Sequence, residues 1–125
     1  MGKVLIAEDD KFLATAYKAK LTKAGFEIRV TSDGQEALQA LKEFIPDVII
    51  LDLVMPVKDG FAVLEELKKD DKLKLIPVIV ASNLGQKEDT EKALSLGAID
   101  FIVKSDLSMD ELVNKIKQII AKKAS

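Results

Sequence analysis

Four places along this 125-residue chain put reactive side chains directly after short apolar runs. Lys3–Ala7 ends in Glu8, Asp9 and Asp10; Asp47–Leu51 ends in Asp52; Pro77–Ala81 ends in Ser82; Ile99–Val103 ends in Lys104. Laid side by side, these runs bring carboxylates, a hydroxyl and an amine to one cleft. Two carboxylates about 4 Å apart repel by roughly 4 kcal/mol at an effective dielectric near 20. Three together take up protons or recruit a cation. The chain has no Cys and no His, so oxygen is the ligand type on offer. A hard ion such as magnesium is then the natural occupant, and it keeps positions open for water and a phosphoryl oxygen. Asp52 becomes a nucleophile beside a metal that neutralises incoming phosphate charge.

Singly, each residue has a plainer reading. Strand ends meet solvent, where charge is expected, and a lone lysine such as Lys104 is most often a solvated surface group. Asp10 reads as the N-cap of the following helix rather than as a ligand. The combination carries the argument.

The elements that must position these groups alternate along the chain. Lys3–Ala7 reads as a first strand. Lys11–Ala24 has helical spacing through Phe12, Leu13, Ala16, Tyr17, Ala19 and Leu21, and stops at Gly25. Phe26–Thr31 reads as a second strand. Ser32 or Asp33 caps a helix with the stripe Ala37, Leu38, Leu41 and Phe44. Asp47–Leu51 follows Pro46 as the most apolar strand. The loop Leu53–Gly60 leads to a helix carrying Phe61, Leu64 and Leu67. Pro77–Ala81 is a fourth strand, Lys87–Leu96 a helix closed by Gly97, and Ile99–Val103 a fifth strand. Ser108-Met109-Asp110-Glu111 is a capping box that opens a last helix through Leu112, Val113, Ile116, Ile119 and Ile120.

Five continuously apolar strands alternating with five helices predict an α/β fold with a parallel sheet covered on both faces. Right-handed crossovers leave few topologies, and the doubly wound, flavodoxin-like order 2-1-3-4-5 is the common five-strand solution. Ligands in such sheets sit beyond the carboxyl ends of the strands, near the point where strand order reverses, here flanked by strands one and three.

Composition narrows the function. The length suits one domain. A net charge of −2 argues against direct nucleic-acid binding. No apolar run is long enough for a signal peptide or membrane span, and the myristoylation pattern fails at position 6. Without Cys or His, disulfides, zinc-thiolate sites and imidazole catalysis are excluded.

The chain resembles, over essentially its whole length (1–125), the receiver domain of two-component response regulators, of the single-domain, chemotaxis-regulator type. Glu8-Asp9, the segment Asp52-Leu53-Val54-Met55-Pro56-Val57-Lys58-Asp59-Gly60, Ser82 and Lys104 carry the resemblance. The spacings are the family's: 43 residues from Asp9 to Asp52, 30 from Asp52 to Ser82 and 52 from Asp52 to Lys104. The resemblance implies that Asp52 is the phosphoacceptor, taking its group from a histidine kinase, a histidine phosphotransfer protein or a small phosphodonor. It implies that Asp9, Asp52 and the Val54 carbonyl bind Mg2+ directly and Glu8 through water. Lys104 and Ser82 would then hold phosphoryl oxygens, and Ser82 and Phe101 would act as the switch pair. Read plainly, Phe101 is a core aromatic. The implied role is a cytoplasmic phosphorelay switch, which modifies itself and is slowly dephosphorylated, and which presents the surface of helix four, strand five and helix five to a downstream protein.

Three departures qualify this. Ser105 follows Lys104 where the family usually has a cis proline. A cis bond before a non-proline residue costs about 2.5–4 kcal/mol, which leaves a trans bond and a displaced Lys104 open. Asn83 stands where Ala or Gly is usual, narrowing phosphoryl access or adding an amide. Val54 and Leu84 replace the polar residues that often orient the hydrolytic water, which predicts slow loss of the phosphoryl group. The alternative is a receiver-like interaction module that works without phosphorylation. A flavin-binding carrier is excluded by the acids after strand one, and a dehalogenase-type phosphatase by the missing Asp-x-Asp and cap.

Overall fold

Side-chain alternation along the first strand sets the architecture. In β1 (Lys3–Ala7), Val4 and Ile6 enter one apolar layer while Leu5 and Ala7 enter the other, and all four are fully buried. A strand buried on both faces needs helices on both faces. The computed structural model, which describes residues 2–124, shows them. After β1 come α1 (Lys11–Lys23), β2 (Glu27–Thr31), α2 (Gly34–Ala40), β3 (Val48–Leu51), α3 (Gly60–Lys69), β4 (Val78–Ser82), α4 (Lys87–Ser95), β5 (Asp100–Val103) and α5 (Met109–Ala124).

All strand pairs are parallel and the order is β2-β1-β3-β4-β5, as expected for the flavodoxin-like class. Tyr17 and Leu21 of α1 and Leu112 and Ile116 of α5 pack with Val4, Ile6, Ile50 and Ile79 on one face. Residues of α2, α3 and α4 (Ala37, Val63, Leu64, Leu67, Ala93) pack with Leu5, Ile49, Leu51 and Val80 on the other. Each fully buried aliphatic side chain contributes roughly 1.5–3 kcal/mol, so the two layers dominate stability.

Capping residues fix where helices begin. Asp10 accepts from Phe12 N at 3.0 Å and Leu13 N at 3.1 Å. Of the two candidates before α2, Asp33 is the cap, accepting from Glu36 N at 2.8 Å. Ser108 Oγ accepts from Glu111 N at 3.4 Å at the start of α5. Gly25 (φ 102°) and Gly97 (φ 109°) follow α1 and α4 in the left-handed conformation that stops a helix.

The structure differs from the sequence reading in several places. Phe12 is 93% exposed, because it precedes Tyr17 by five residues and so lies about 140° round the helix from the buried stripe. Ala16 and Ala19 are exposed too, and Ala14 takes their place in the buried set. The helix α2 ends at Ala40, and Leu41 and Phe44 are buried from the turns that follow. Beyond Ala40 the bonds shorten to three-residue turns, Lys42 N to the Gln39 carbonyl at 3.1 Å and Glu43 N to the Ala40 carbonyl at 3.0 Å, and Pro46 biases Ile45 away from the helical region. Two 3-10 turns, Leu73–Leu75 and Lys104–Asp106, carry no sequence signal at three residues each.

Val57 has φ 67° and is 81% exposed. A β-branched residue there is sterically penalised by about 1–2 kcal/mol, with no packing in return. Glycine relieves this while adding about 0.5–1 kcal/mol of unfolded-state entropy. Val57→Gly is therefore expected to stabilise by about 0.5–1 kcal/mol and raise Tm by a few degrees. A lower melting temperature on thermal scanning would show that the strain has been misread.

Candidate functional site

The acidic groups are held by a sheet that continues past its strand ends. Glu8 N donates to the Thr31 carbonyl and Asp52 N to the Ala7 carbonyl, both at 3.0 Å. These two ladder bonds place the side chains after β1 and β3 beside each other at the topological switch point. Carboxylate oxygens of Glu8, Asp9 and Asp52 lie within 4.8 Å of one another. Glu8 and Asp52 are 2% and 4% exposed, whereas Asp9 is open to solvent.

Lys104 enters this cluster from the end of β5. Its Nζ lies 2.7 Å from Glu8 Oε1 and 3.0 Å from Asp52 Oδ2. The Lys104–Ser105 peptide is trans, and the lysine still reaches both acids from the 3-10 turn it opens. Burial pulls the ammonium pKa down, but hydrogen bonds and charge from Glu8 and Asp52 outweigh that and hold it above its usual range. Glu8 moves the other way from an ordinary carboxyl. Burial, aided by the Asp52 charge, pushes it up to about 7, although bonds from Lys104 and Asp10 N favour the ion.

Gly60 sets how closely the β3–α3 loop folds over Asp52. A Cβ at this position would sit 2.3 Å from the Asp52 carbonyl oxygen and 2.8 Å from Leu53 Cα. Gly60 N donates to the Leu53 carbonyl at 3.0 Å, and Asp59 caps α3 through Ala62 N at 2.9 Å. The loop thus turns back tightly, and Val54 N donates to Asp52 Oδ1 at 3.3 Å while its side chain is 57% exposed.

Ser82 is the last residue of β4, fully buried, and its register partner Val103 immediately precedes Lys104. Its hydroxyl accepts from Leu84 N at 3.3 Å. Asn83 is exposed, and Leu84 is half-buried against the α2–α4 layer. Phe101, paired with Val80 in the sheet, is half-buried against that same layer.

Two features escaped the sequence reading. One is the direct Glu8–Lys104 ion pair. Nothing in the spacing shows that a lysine on the far strand crosses to β1 as well as β3. The other is Tyr17, fully buried on α1, with no hydrogen-bond partner for its hydroxyl among the described residues. Burial, then the charges of Glu8, Asp52 and Asp10, hold its pKa well above the usual phenol range. Helical periodicity marks Tyr17 as core but is silent on the acids above it.

Three clustered carboxylates with only oxygen donors, in a chain lacking Cys and His, fit a hard divalent ion and not a thiophilic one. A family model for the response regulator receiver domain matches residues 4–117. The chain belongs to this receiver-domain family. The receiver domain of Francisella response regulator 1452 superposes with a TM-score of 0.90 at 34% identity, covering 98% of this receiver domain and 99% of that chain. The signal receiver domain of a Syntrophus aciditrophicus signal transduction histidine kinase gives 0.89 at 34% identity, over 98% and 92%. Among curated proteins, "Probable transcriptional regulator ycf27" of Guillardia theta is 36% identical over 118 residues, which is 94% of this chain and 45% of that protein. The receiver domain spans about half the length of such relatives. Among its described residues, no helix is long and apolar enough to cross a membrane.

Proposed function

We propose that this receiver domain is a cytoplasmic, phosphorylation-activated switch in which Asp52 accepts a phosphoryl group from a histidine kinase or a histidine phosphotransfer protein. The observation that carries the reading is Asp52 itself, buried beside Glu8 and Asp9 and held by Lys104 at 3.0 Å. A carboxylate oxygen of Asp52 attacks phosphorus. The bond from phosphorus to the donor imidazole nitrogen breaks, and the nitrogen keeps the electron pair. An acyl phosphate is left on Asp52. Asp9, Asp52 and the Val54 carbonyl, with Glu8 through water, would hold magnesium, which would supply charge neutralisation for the incoming phosphoryl oxygens.

The chain's own groups do the rest. Lys104 follows the transferred charge from Asp52 Oδ2 onto a phosphoryl oxygen, and Ser82 turns from Leu84 N to donate to another. Charge-assisted hydrogen bonds are worth about 1.5–3 kcal/mol each. Moving an equilibrium from 1:99 to 99:1 takes about 5.5 kcal/mol of differential interaction. Lys104 already bonds Asp52 at rest, so most of it comes from Ser82 and backbone amides whose bonds form only to the phosphoryl group. Ser82 moving up vacates room beside β5, and Phe101, only half-buried at rest, turns inward. That reshapes the face of α4, β5 and α5 for a downstream protein. The test is intact mass after incubation with acetyl phosphate and magnesium. Wild type is expected to gain one phosphoryl group and Asp52→Ala none. A gain of equal size in the variant, or no gain in either, sinks the proposal.

Once formed, the acyl phosphate is expected to persist for minutes or longer. Water needs a polar side chain to aim it at phosphorus, and Val54 and Leu84 offer none. Decay within seconds in a chase experiment would rule this out, and Val54→Asn with Leu84→Glu should shorten the lifetime by about tenfold or more.

A further inference from the structure

Two glycines clamp the loop that follows Asp52. Gly60 lies against the Asp52 carbonyl, as described above. Gly34, the buried first residue of α2, meets the other end of the loop, where its N–H donates to the Lys58 carbonyl at 3.0 Å. A Cβ on Gly34 would sit 2.2 Å from that same oxygen, 2.9 Å from the Lys58 carbonyl carbon and 2.8 Å from Val63 Cγ2. Between the two clamps the chain makes a three-residue turn. Lys58 N donates to the Pro56 carbonyl at 2.7 Å, around Val57 at φ 67°. A γ-turn of this hand is rare and strained, and such a turn persists only where its surroundings over-determine it. Here the restraint on the Lys58 carbonyl comes from α2.

We propose that Gly34 is a positioning residue for the phosphoacceptor loop. By letting α2 approach Lys58 to hydrogen-bond distance, it holds the turn at Val57 shut and sets where the Val54 carbonyl lies. The line of contacts is short. Lys58 leads through Asp59, whose side chain caps α3 at Ala62 N, to Gly60, whose N–H donates to the Leu53 carbonyl. Val54 comes next, and its N–H reaches Asp52 Oδ1 at 3.3 Å. A methyl on Gly34 pushes backbone, which has no rotamer to escape into, so the displacement passes along this line. The inference rests on the reading of Asp52, Asp9 and the Val54 carbonyl as a magnesium-dependent phosphoacceptor site. It adds a residue on a helix that supplies none of the site's own groups.

The test compares Gly34→Ala with Gly97→Ala. Gly97 has φ 109° and an added Cβ there meets nothing within 4 Å, so its variant is strained without touching the loop. Magnesium is titrated into each 15N-labelled full chain and followed by the amide shifts of Val54 and Gly60. Affinity is expected to fall about tenfold in Gly34→Ala, as when the support of a metal ligand is removed, and to stay unchanged in Gly97→Ala. The magnesium concentration that gives half-maximal phosphorylation by acetyl phosphate should rise by the same factor. The rate at saturating magnesium should change less than about threefold, because the ion restores the loop it binds. A wild-type measurement covers a Gly34→Ala chain that does not fold. Saturating magnesium should slow hydrogen exchange at the Gly34 amide more than at the Gly97 amide, since coupling between two sites runs both ways. Equal magnesium affinity in the two variants, or equal slowing at the two amides, overturns the inference and leaves wild-type phosphorylation at Asp52 intact. A wild type that binds no magnesium overturns both readings.

Discussion

Lys104→Met is expected to destabilise the magnesium-free protein by about 3 kcal/mol and to tighten magnesium binding by about tenfold. In the structure one ammonium serves two buried carboxylates, at 2.7 and 3.0 Å. Removing one partner of a buried ion pair typically costs about 3–5 kcal/mol, because the other charge is stranded. The lower end applies, since Glu8 already sits near pH 7 in its proton affinity and takes up a proton once the lysine is gone. The same lysine repels a divalent ion approaching Glu8 and Asp52, so its loss favours the metal. Urea unfolding with and without magnesium separates the two effects. The variant should be clearly weaker without the ion and largely rescued by it, as binding to the folded state alone requires. Equal stability of variant and wild type without magnesium would mean that the cluster is not held by its lysine.

Gly60→Ala is expected to cost about 3 kcal/mol and to slow phosphoryl uptake in proportion to the displacement of Asp52. The added methyl meets two backbone atoms, the Asp52 carbonyl oxygen and Leu53 Cα, which cannot rotate away as a side chain would. Alanine favours the first turn of α3 by about 1 kcal/mol over glycine, too little to offset a 2.3 Å contact. Relief requires opening the Gly60–Leu53 bond, and with it the loop that carries Val54 N to Asp52. A variant within about 0.5 kcal/mol of wild type by urea denaturation, phosphorylated at the same rate, would contradict this.

The fold was legible because its strands advertise burial on both faces. Val48-Ile49-Ile50-Leu51 has no polar alternation, and such a run admits few neighbours other than parallel strands. Helix starts were legible at Asp10 and Ser108, where short polar side chains satisfy free backbone amides. Phe12 was misplaced because α1 mixes apolar residues around its circumference, so hydrophobicity alone does not fix the buried face. Of the candidate site, residue types and sheet edge followed from the sequence. The distance at which Lys104 meets Glu8 did not, since it depends on the backbone path of a 3-10 turn with no pattern of its own. The tight approach at Gly60 is likewise written in three dimensions, with the Asp59-Gly60 pair as its one sequence trace.

Tyr17 gives the molecule a built-in optical label. The chain holds one tyrosine and no tryptophan, so emission excited at wavelengths its five phenylalanines do not absorb arises from a single ring. That ring is sealed beneath the sheet's switch point, where Glu8 and Asp52 already bias its hydroxyl. Any rearrangement of charge above it is thereby broadcast as light, without a dye or an engineered fluorophore.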